Sequence, residues 1–424
     1  MGTSRRPEGG VVITEACTDE FTTDFGGERH AVPRTVHRMP GAFPSVVLAA
    51  GRPLTLRGAG HSCNGQTVTA DDLLVTHTPD SGVSQVRDLG TGLVEVPAGM
   101  SWYDLEHYLN RHGRAAPVLT DHLHVTVGGT LSAGGFGIRS VRNGMQVDHV
   151  ERIQVTDGTG ASRWCSPTEH PELFRFALGG LGAAGLIERA VLRTDPYREY
   201  AHVHHLRHDT LSDLVEHTER IAQRDEVDLY CGSLRRGVIR SSTGWNRVPR
   251  RCNGADCRTV RTGPAARSPH TRIVAPAADR VRMWTDYVVP PGALAPMVEA
   301  LRTRCPLDRF PLMLYFLVVR RAESASRFAF APAGALPVAI GFGIYTTIPD
   351  DPATISTVRR LFGELLERCS RLGGRPYLYG VHDLDPASAQ RLYGSDMPGL
   401  ARLRAAHRLE HVNAHLPIVQ ATAA

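Results

Sequence analysis

The chain has 424 residues, of which 42% are hydrophobic and 21% charged, and its formal net charge is +5. Such a composition is that of a soluble globular protein with room for two domains and a large core. The charge is mild, all of its Lys and Arg part is arginine, and no basic block of the kind that forms a nucleic-acid arm is present. No apolar run is long enough to span a bilayer. The N-terminus has no apolar stretch after Arg5-Arg6 and does not read as a secretory signal. The eight cysteines show no CxxC or Cys/His zinc spacing, which points to reduced thiols, no metal site and a cytoplasmic location. The bias towards Ala, Gly, Pro and Arg is that of a high-GC bacterial gene.

Residues 1–195 are dense in glycine punctuation and short apolar runs. Val46–Leu48, Leu54–Leu56, Leu73–Val75 and Val94–Val96 read as strands. Ser101 caps a predicted helix from Trp102 to His112, with Trp102, Leu105 and Leu109 on its buried face and Gly113 as its stop. Val150–Val155 reads as a strand followed by an Asp157–Gly160 turn, Pro171–Leu178 as a short helix and Gly185–Thr194 as another strand. The pattern is α+β, without the regular alternation of a doubly wound sheet.

The composition changes near Asp195-Pro196. Leu211, Leu214, Val215 and Ile221 fit one helix face, and Val227–Leu234 reads as extended. The polar, arginine-rich stretch 241–272 reads as a loop or hairpin insertion. Strands are expected at Tyr287–Val289, Leu312–Val319 and Val338–Tyr345, and helices at Pro352–Leu372 and Pro386–His411. Together these elements predict an antiparallel sheet covered by helices.

The most informative run is Arg57-Gly58-Ala59-Gly60-His61-Ser62-Cys63-Asn64-Gly65-Gln66, directly after a strand. Alternating glycines expose a concave row of backbone N–H donors that suits a pyrophosphate, and any Cβ would block that approach. The run is not the dinucleotide fingerprint G-x-G-x-x-G.

R-G-x-G-H-S-x-x-G-Q resembles the flavin-pyrophosphate loop of the vanillyl-alcohol oxidase superfamily, most closely that of cytokinin dehydrogenases. Three further stretches resemble the same family, in the family's order. They are Leu119–Ser132, containing T-D-H-L-H-V-T-V-G-G-T-L-S, then Leu178–Ile187, and Trp284–Pro290. The resemblance implies a two-domain FAD-binding fold, with an FAD domain over 1–195, a substrate domain of antiparallel sheet over 196–375 and a C-terminal segment, 376–424, that returns to the FAD domain. It further implies FAD bonded covalently to His61, with cofactor contacts from Arg57, Gly58, Ala59, Gly60, Ser62, Gln66, Asp121, Thr126, Gly128, Gly129, Ser132, Phe136, Ile187 and Tyr377. Residues 125–139 hold no cysteine for a second covalent link.

Asp121 matches the family aspartate that takes a proton from the substrate amine; read by itself, it equally caps the following turn through its carboxylate. The substrate side departs from the pattern, because Asp228-Leu229-Tyr230-Cys231-Gly232 has cysteine where the plant enzymes carry a substrate-binding glutamate. Tyr230, Cys231 and Trp284 are nonetheless the expected substrate contacts. His382 and Asp383 are expected either to bond each other or to line the pocket, surface placement being equally open.

The expected reaction removes a hydride from the carbon of a C–N bond in a small amine, with molecular oxygen or a quinone-type acceptor reoxidising the flavin. One alternative is a secondary-metabolism oxidase acting on an alcohol, a sugar or an alkaloid-like substrate. Another, of a different class, is a flavin-binding protein without redox turnover.

Overall fold

The structure is a computed structural model that describes residues 12–14, 21–27, 35–39, 48–68, 73–77, 83–246, 257–262, 276–304, 312–323 and 325–422. Its first sheet contains β1 (Val12–Thr14), β2 (Thr35–Met39), β3 (Leu54–Arg57) and β4 (Leu73–His77) in the order β1-β2-β4-β3. The β2–β4 and β3–β4 pairs are parallel, and β1–β2 is antiparallel. The second sheet is antiparallel throughout. It comprises β5 (Arg87–Gly90), β6 (Leu93–Pro97), β8 (Val150–Thr156), β9 (Ser162–Cys165) and β10 (Leu186–Arg193) in the order β5-β6-β10-β8-β9. Between them in sequence, β7 (Arg114–Ala115) pairs with β11 (Asp195–Pro196).

An eight-stranded antiparallel sheet follows. Its strands are β12 (Tyr200–Arg207), β13 (Leu229–Arg235), β14 (Val238–Trp245), β15 (Cys257–Arg261), β16 (Arg280–Val289), β17 (Leu312–Arg320), β18 (Val338–Pro349) and β19 (Arg375–Pro376), in the order β15-β12-β14-β13-β17-β18-β16-β19. Along β16 successive side chains alternate between faces. Val281, Met283 and Tyr287 are buried on one face, and Trp284 and Asp286 project from the other. The first face is covered by helices, among them Pro352–Arg371. That helix starts at Asp351, whose carboxylate accepts from Thr354 N at 2.9 Å, and carries Pro352 at its first position. Its buried stripe is Val358, Phe362, Leu365, Leu366 and Cys369. Tyr287 Oη donates to the Phe362 carbonyl at 2.7 Å, which ties strand to helix. Each fully buried side chain of this size is worth ~1.5–3 kcal/mol.

The chain's last stretch packs back on the first sheet. Leu54 N donates to His411 O at 2.9 Å, Asn413 N to Leu54 O at 2.8 Å, and Leu56 N to Asn413 Oδ1 at 2.8 Å. The buried Arg404 donates to the carbonyls of Ala183, Leu409 and Val412.

Several sequence expectations are revised. Leu48 opens a helical turn and not a strand, and Val46 and Val47 lie outside the described residues. Pro386–His411 is two helices, Pro386–Tyr393 and Met397–Ala406. The break follows Gly394, and Pro398 sits near the start of the second helix, where its missing N–H is not needed. Within 241–272, the described parts are strand: β14 runs on to Trp245, and β15 pairs with β12. The rest of that stretch lies outside the described residues. The five described cysteines, Cys63, Cys165, Cys231, Cys257 and Cys369, are free thiols.

Candidate active site

The glycine-rich loop leaves the end of β3 and is held by its glycines at two points. Gly60 has φ +71°, and a Cβ there would lie 2.3 Å from Arg57 Nη2, so the bare backbone makes room for the Arg57 guanidinium folded across the loop. Arg57 Nη1 also donates to Thr67 O at 3.2 Å. Gly58 faces Thr126, whose Oγ1 would lie 2.5 Å from a Cβ at position 58.

The second glycine segment is a helix, Val127–Ala133, which its two glycines do not favour intrinsically. Tertiary bonds hold it in place. Thr126 is its N-cap and accepts from Gly129 N at 3.1 Å, while Val127 N donates to Met100 O and Gly128 N to Ala98 O, both at 2.8 Å. Trp102 Nε1 donates to Thr130 Oγ1 at 2.6 Å and locks the neighbouring helix, Trp102–Arg111, against it. As expected from sequence, Ser101 caps that helix and accepts from Asp104 N at 3.1 Å.

The two segments wall one cavity, closed on its far side by the eight-stranded sheet. It is lined at one end by Arg57, Gly58, Ala59, Gly60, His61, Ser62 and Gln66, and along its floor by Thr126, Gly128, Gly129, Ser132, Phe136 and Ile187. Asp121, Trp284 and Tyr377 line it as well. Tyr230 and Cys231 lie elsewhere, in an adjoining cavity that shares only Leu119 and Ile138 with the first. The Tyr230 hydroxyl is bonded to Thr218 Oγ1 at 2.7 Å inside the core. Cys231 is bonded to Ser242 and Tyr315, and it lies close enough to Asp121 for that carboxylate to add to the upward push of burial on its thiol. His382 and Asp383 stay out of the cavity and do not bond each other. His382 is buried against Thr285 and the Tyr377 carbonyl, and Asp383 pairs with Arg359.

His61 is enclosed by rings. Phe25 stacks on it with centroids 3.9 Å apart, and the His122 ring lies at 4.5 Å. Burial first, then the neighbouring His122 charge, lowers its pKa to about 3, so the imidazole is neutral and keeps a lone pair. Its Nε2 is buried without a hydrogen-bond partner, as is Thr67 Oγ1 in the same wall. A neutral imidazole with an orphaned ring nitrogen beside a glycine cradle fits a cofactor that reacts with or packs on that ring. FAD satisfies both features.

The loop is pinned from the far side of the molecule. Cys63 N donates to Tyr379 O at 2.9 Å, Gln66 Nε2 donates to Leu378 O at 2.8 Å and to Gly380 O at 3.0 Å, and Asn64 Nδ2 donates to His382 O at 3.0 Å. These bonds bring Tyr379 beside His61, their ring centroids 6.1 Å apart. Tyr379 Oη and Tyr345 Oη each donate to one oxygen of the Asp286 carboxylate at 2.7 Å. Asp286 is buried, and desolvation raises its pKa to about 6 against the lowering effect of the two phenols. Phe25, His122, Asp286, Tyr345 and Tyr379 were not singled out from sequence. Asp286 stands two positions after Trp284, a spacing that puts both on one strand face and was the available signal.

Residues 45–166 match the family described as FAD binding domain. An uncharacterized oxidoreductase of the fasciation locus of Rhodococcoides fascians is 37% identical over 218 residues, covering 50% of this chain and 49% of the relative. Cytokinin dehydrogenase 10 of Oryza sativa subsp. japonica is 37% identical over 194 residues, 42% of this chain and 35% of that protein. Cytokinin dehydrogenase 2 of Arabidopsis thaliana is 40% identical over 139 residues, 33% of this chain and 27% of that protein. The matches thus span about half or less of these relatives' lengths. Among the described residues no helix is long and apolar enough to cross a membrane. With its glycine cradle and orphaned histidine inside the matched segment, the chain carries an FAD-binding domain and resembles the cytokinin dehydrogenases over the stretches they share.

Proposed function

We propose that this protein is an FAD-dependent oxidoreductase that removes a hydride from the carbon of a C–N bond in a small amine, with the flavin held covalently through His61. The observation that carries the proposal is the half-buried, neutral His61 ring, whose Nε2 is enclosed without a partner and which lines the same cavity as Asp121. Bound FAD would supply the hydride acceptor. The glycine loop would hold its phosphates through backbone N–H groups, Gly128, Gly129 and Ser132 would pack against the cofactor, and Phe136, Ile187 and Tyr377 would contact its rings. Asp121, exposed to the cavity, would take the proton from the substrate nitrogen as the C–H bond breaks. The eight-stranded sheet supplies the opposite wall, in keeping with an FAD domain over 1–195, a substrate domain over 196–375 and a returning segment over 376–424. Oxygen or a quinone-type acceptor would complete the cycle. The free thiols suit a reducing, cytoplasmic setting.

The position of Cys231 favours a second reading. With a thiol in place of the plant glutamate, and with that thiol in the adjoining cavity, the substrate is an alcohol, sugar or alkaloid-like compound of secondary metabolism. Acid precipitation of purified wild type and His61→Ala, followed by flavin fluorescence of the denatured band, tests the attachment. A fluorescent band lost in the variant supports it, and flavin released to the supernatant from wild type removes the covalent link. Anaerobic bleaching of the flavin by isopentenyladenine, set against a panel of alcohols and sugars, separates the two substrate readings.

A further inference from the structure

The sheet wall of the cavity has a built polar centre that the proposed proton transfer to Asp121 does not use. In register, Trp284 pairs with Tyr345 and Tyr345 with Met313; one row further along, Asp286 pairs with Gly343 and Gly343 with Tyr315. A Cβ at Gly343 would lie 2.5 Å from Asp286 Oδ1 and 2.7 Å from Tyr345 Oη. The carboxylate therefore leans across a gap that only glycine leaves open. Its two oxygens accept one phenol each, from Tyr345 and Tyr379. An ionised carboxylate offers about four lone-pair sites, so two are left after these bonds.

Burying a carboxylate is costly where an apolar side chain would fill the same space. The surroundings show what would repay that cost. Trp284, Tyr315, Tyr377 and Tyr379 line the cavity around the acid, and aromatic faces attract cations. Among the described residues lining the cavity, Arg57 is the one Lys or Arg, and it lies at the opposite, loop end. The nearby Arg282 lies outside that lining, its guanidinium 4.5 Å over the Phe25 ring and 5.9 Å over the Trp284 ring, and it donates to Phe25 O at 3.1 Å.

We propose that Asp286, steadied by Tyr345 and Tyr379, is the amine-binding subsite of this cavity and takes the ammonium head of an arylalkylamine whose ring lies among Trp284, Tyr315 and Tyr377. This inference rests on the amine reading of the function and names the groups that enforce it. A protonated nitrogen donates to the free lone pairs of Asp286, while an alcohol of the same shape gains no ion pair. The groups facing Asp286 are Tyr345 from β18, Tyr377 and Tyr379 from the segment at and after β19, Cys63 from the glycine loop, and Tyr287 on its own strand. Burial pushes all of these acids above their usual values, so they stay neutral near pH 7, and among these groups it is Asp286 that changes charge as the pH crosses about 6.

The test is calorimetric titration of the FAD-loaded protein with benzylamine and with benzyl alcohol at pH 8 and pH 5. Benzylamine is expected to bind about tenfold more tightly at pH 8, the effect of one charge-assisted contact, with the margin vanishing at pH 5 as Asp286 is protonated. Asp286→Asn is expected to abolish the margin at pH 8 and leave benzyl alcohol unchanged. Equal affinities at pH 8, no benzylamine binding, a margin that persists at pH 5, or a margin intact in Asp286→Asn would each overturn the proposal. If the variant does not fold, the wild-type pH series decides alone. The titration needs no turnover, so loss of the amine preference is distinguishable from loss of flavin chemistry.

Discussion

The imidazole of His61 lies face to face with the phenyl ring of Phe25, with centroids 3.9 Å apart and planes 21° apart. Phe25 is itself fixed, since its N–H donates to Ser62 O at 2.9 Å and Arg282 covers its ring. The stack thus sets the direction of the orphaned ring nitrogen. Phe25→Leu keeps an apolar group there and removes the flat surface. Covalent flavin is expected to form at least about tenfold more slowly in this variant, because a misdirected nucleophile loses its near-attack geometry. The check is the time course of flavin fluorescence in the denatured band after FAD is added to apoprotein.

Gly58 and Thr126 bring the two glycine segments together. In Gly58→Ala the new methyl would press on Thr126 Oγ1, and the loop must move from the helix it faces. FAD affinity is expected to fall by tenfold or more, an estimate of about 1.4 kcal/mol or greater. Thr126→Ala relieves the contact but forfeits the helix cap at a cost of about 1 kcal/mol. Part of the FAD affinity should therefore return in the double variant, while its melting temperature stays below wild type. Equilibrium dialysis in a His61→Ala background, where FAD binds without the covalent link, and thermal melts read the two effects separately.

Asp286 makes the fold sensitive to pH in a defined direction. Burial raises its pKa to about 6 from an ordinary 3.8, so the folded state holds this proton more tightly than the unfolded chain does. The group's contribution to stability is fully present below about pH 4 and is lost as pH rises through about 6. Asp286→Asn should therefore be more stable than wild type at pH 8, on the order of 2 kcal/mol, with the gap closing near pH 4. Urea unfolding of apoprotein at the two pH values checks this.

Asp148 and Arg321 form a buried forked pair, with side chains 7% and 5% exposed and Arg321 Nη2 2.6 Å from Asp148 Oδ1. Arg321 also donates to the carbonyls of Gly334 and Ser326. Asp148→Ala strands a buried guanidinium and is expected to cost about 3–5 kcal/mol. Arg321→Met in the same background should recover part of that loss. Denaturant unfolding of the single and double variants measures both.

Local chemistry accounts for what could be read directly. The Ser101 cap and the Trp102, Leu105 and Leu109 stripe mark their helix because capping and the 3.6-residue period act within a few residues. The R-G-A-G-H-S run marks a cradle because glycine is required wherever backbone must approach something closely. Less legible was the helix after Thr126. Its Gly-Gly start weakens the intrinsic signal, and bonds from Ala98, Met100 and Trp102 decide it. The single helix expected over Pro386–His411 divides because Pro398, which has no N–H to bond the preceding turn, is placed in the first turn of a new helix and not inside a continuous one.

By itself, then, the sequence determined the strand-loop cradle, the histidine standing in it and the alternating pattern of the large sheet, all set by neighbours within a turn or two. The tertiary structure alone decided the company those residues keep. Asp286 meets a phenol 59 positions away in Tyr345 and another 93 positions away in Tyr379. Cys231, close to Asp121, opens into a different cavity, and His61 acquires its low pKa from burial among rings contributed by Phe25 and His122. Desolvation and register are properties of the packed sheets, and a charge's environment exists only after distant strands have been brought side by side.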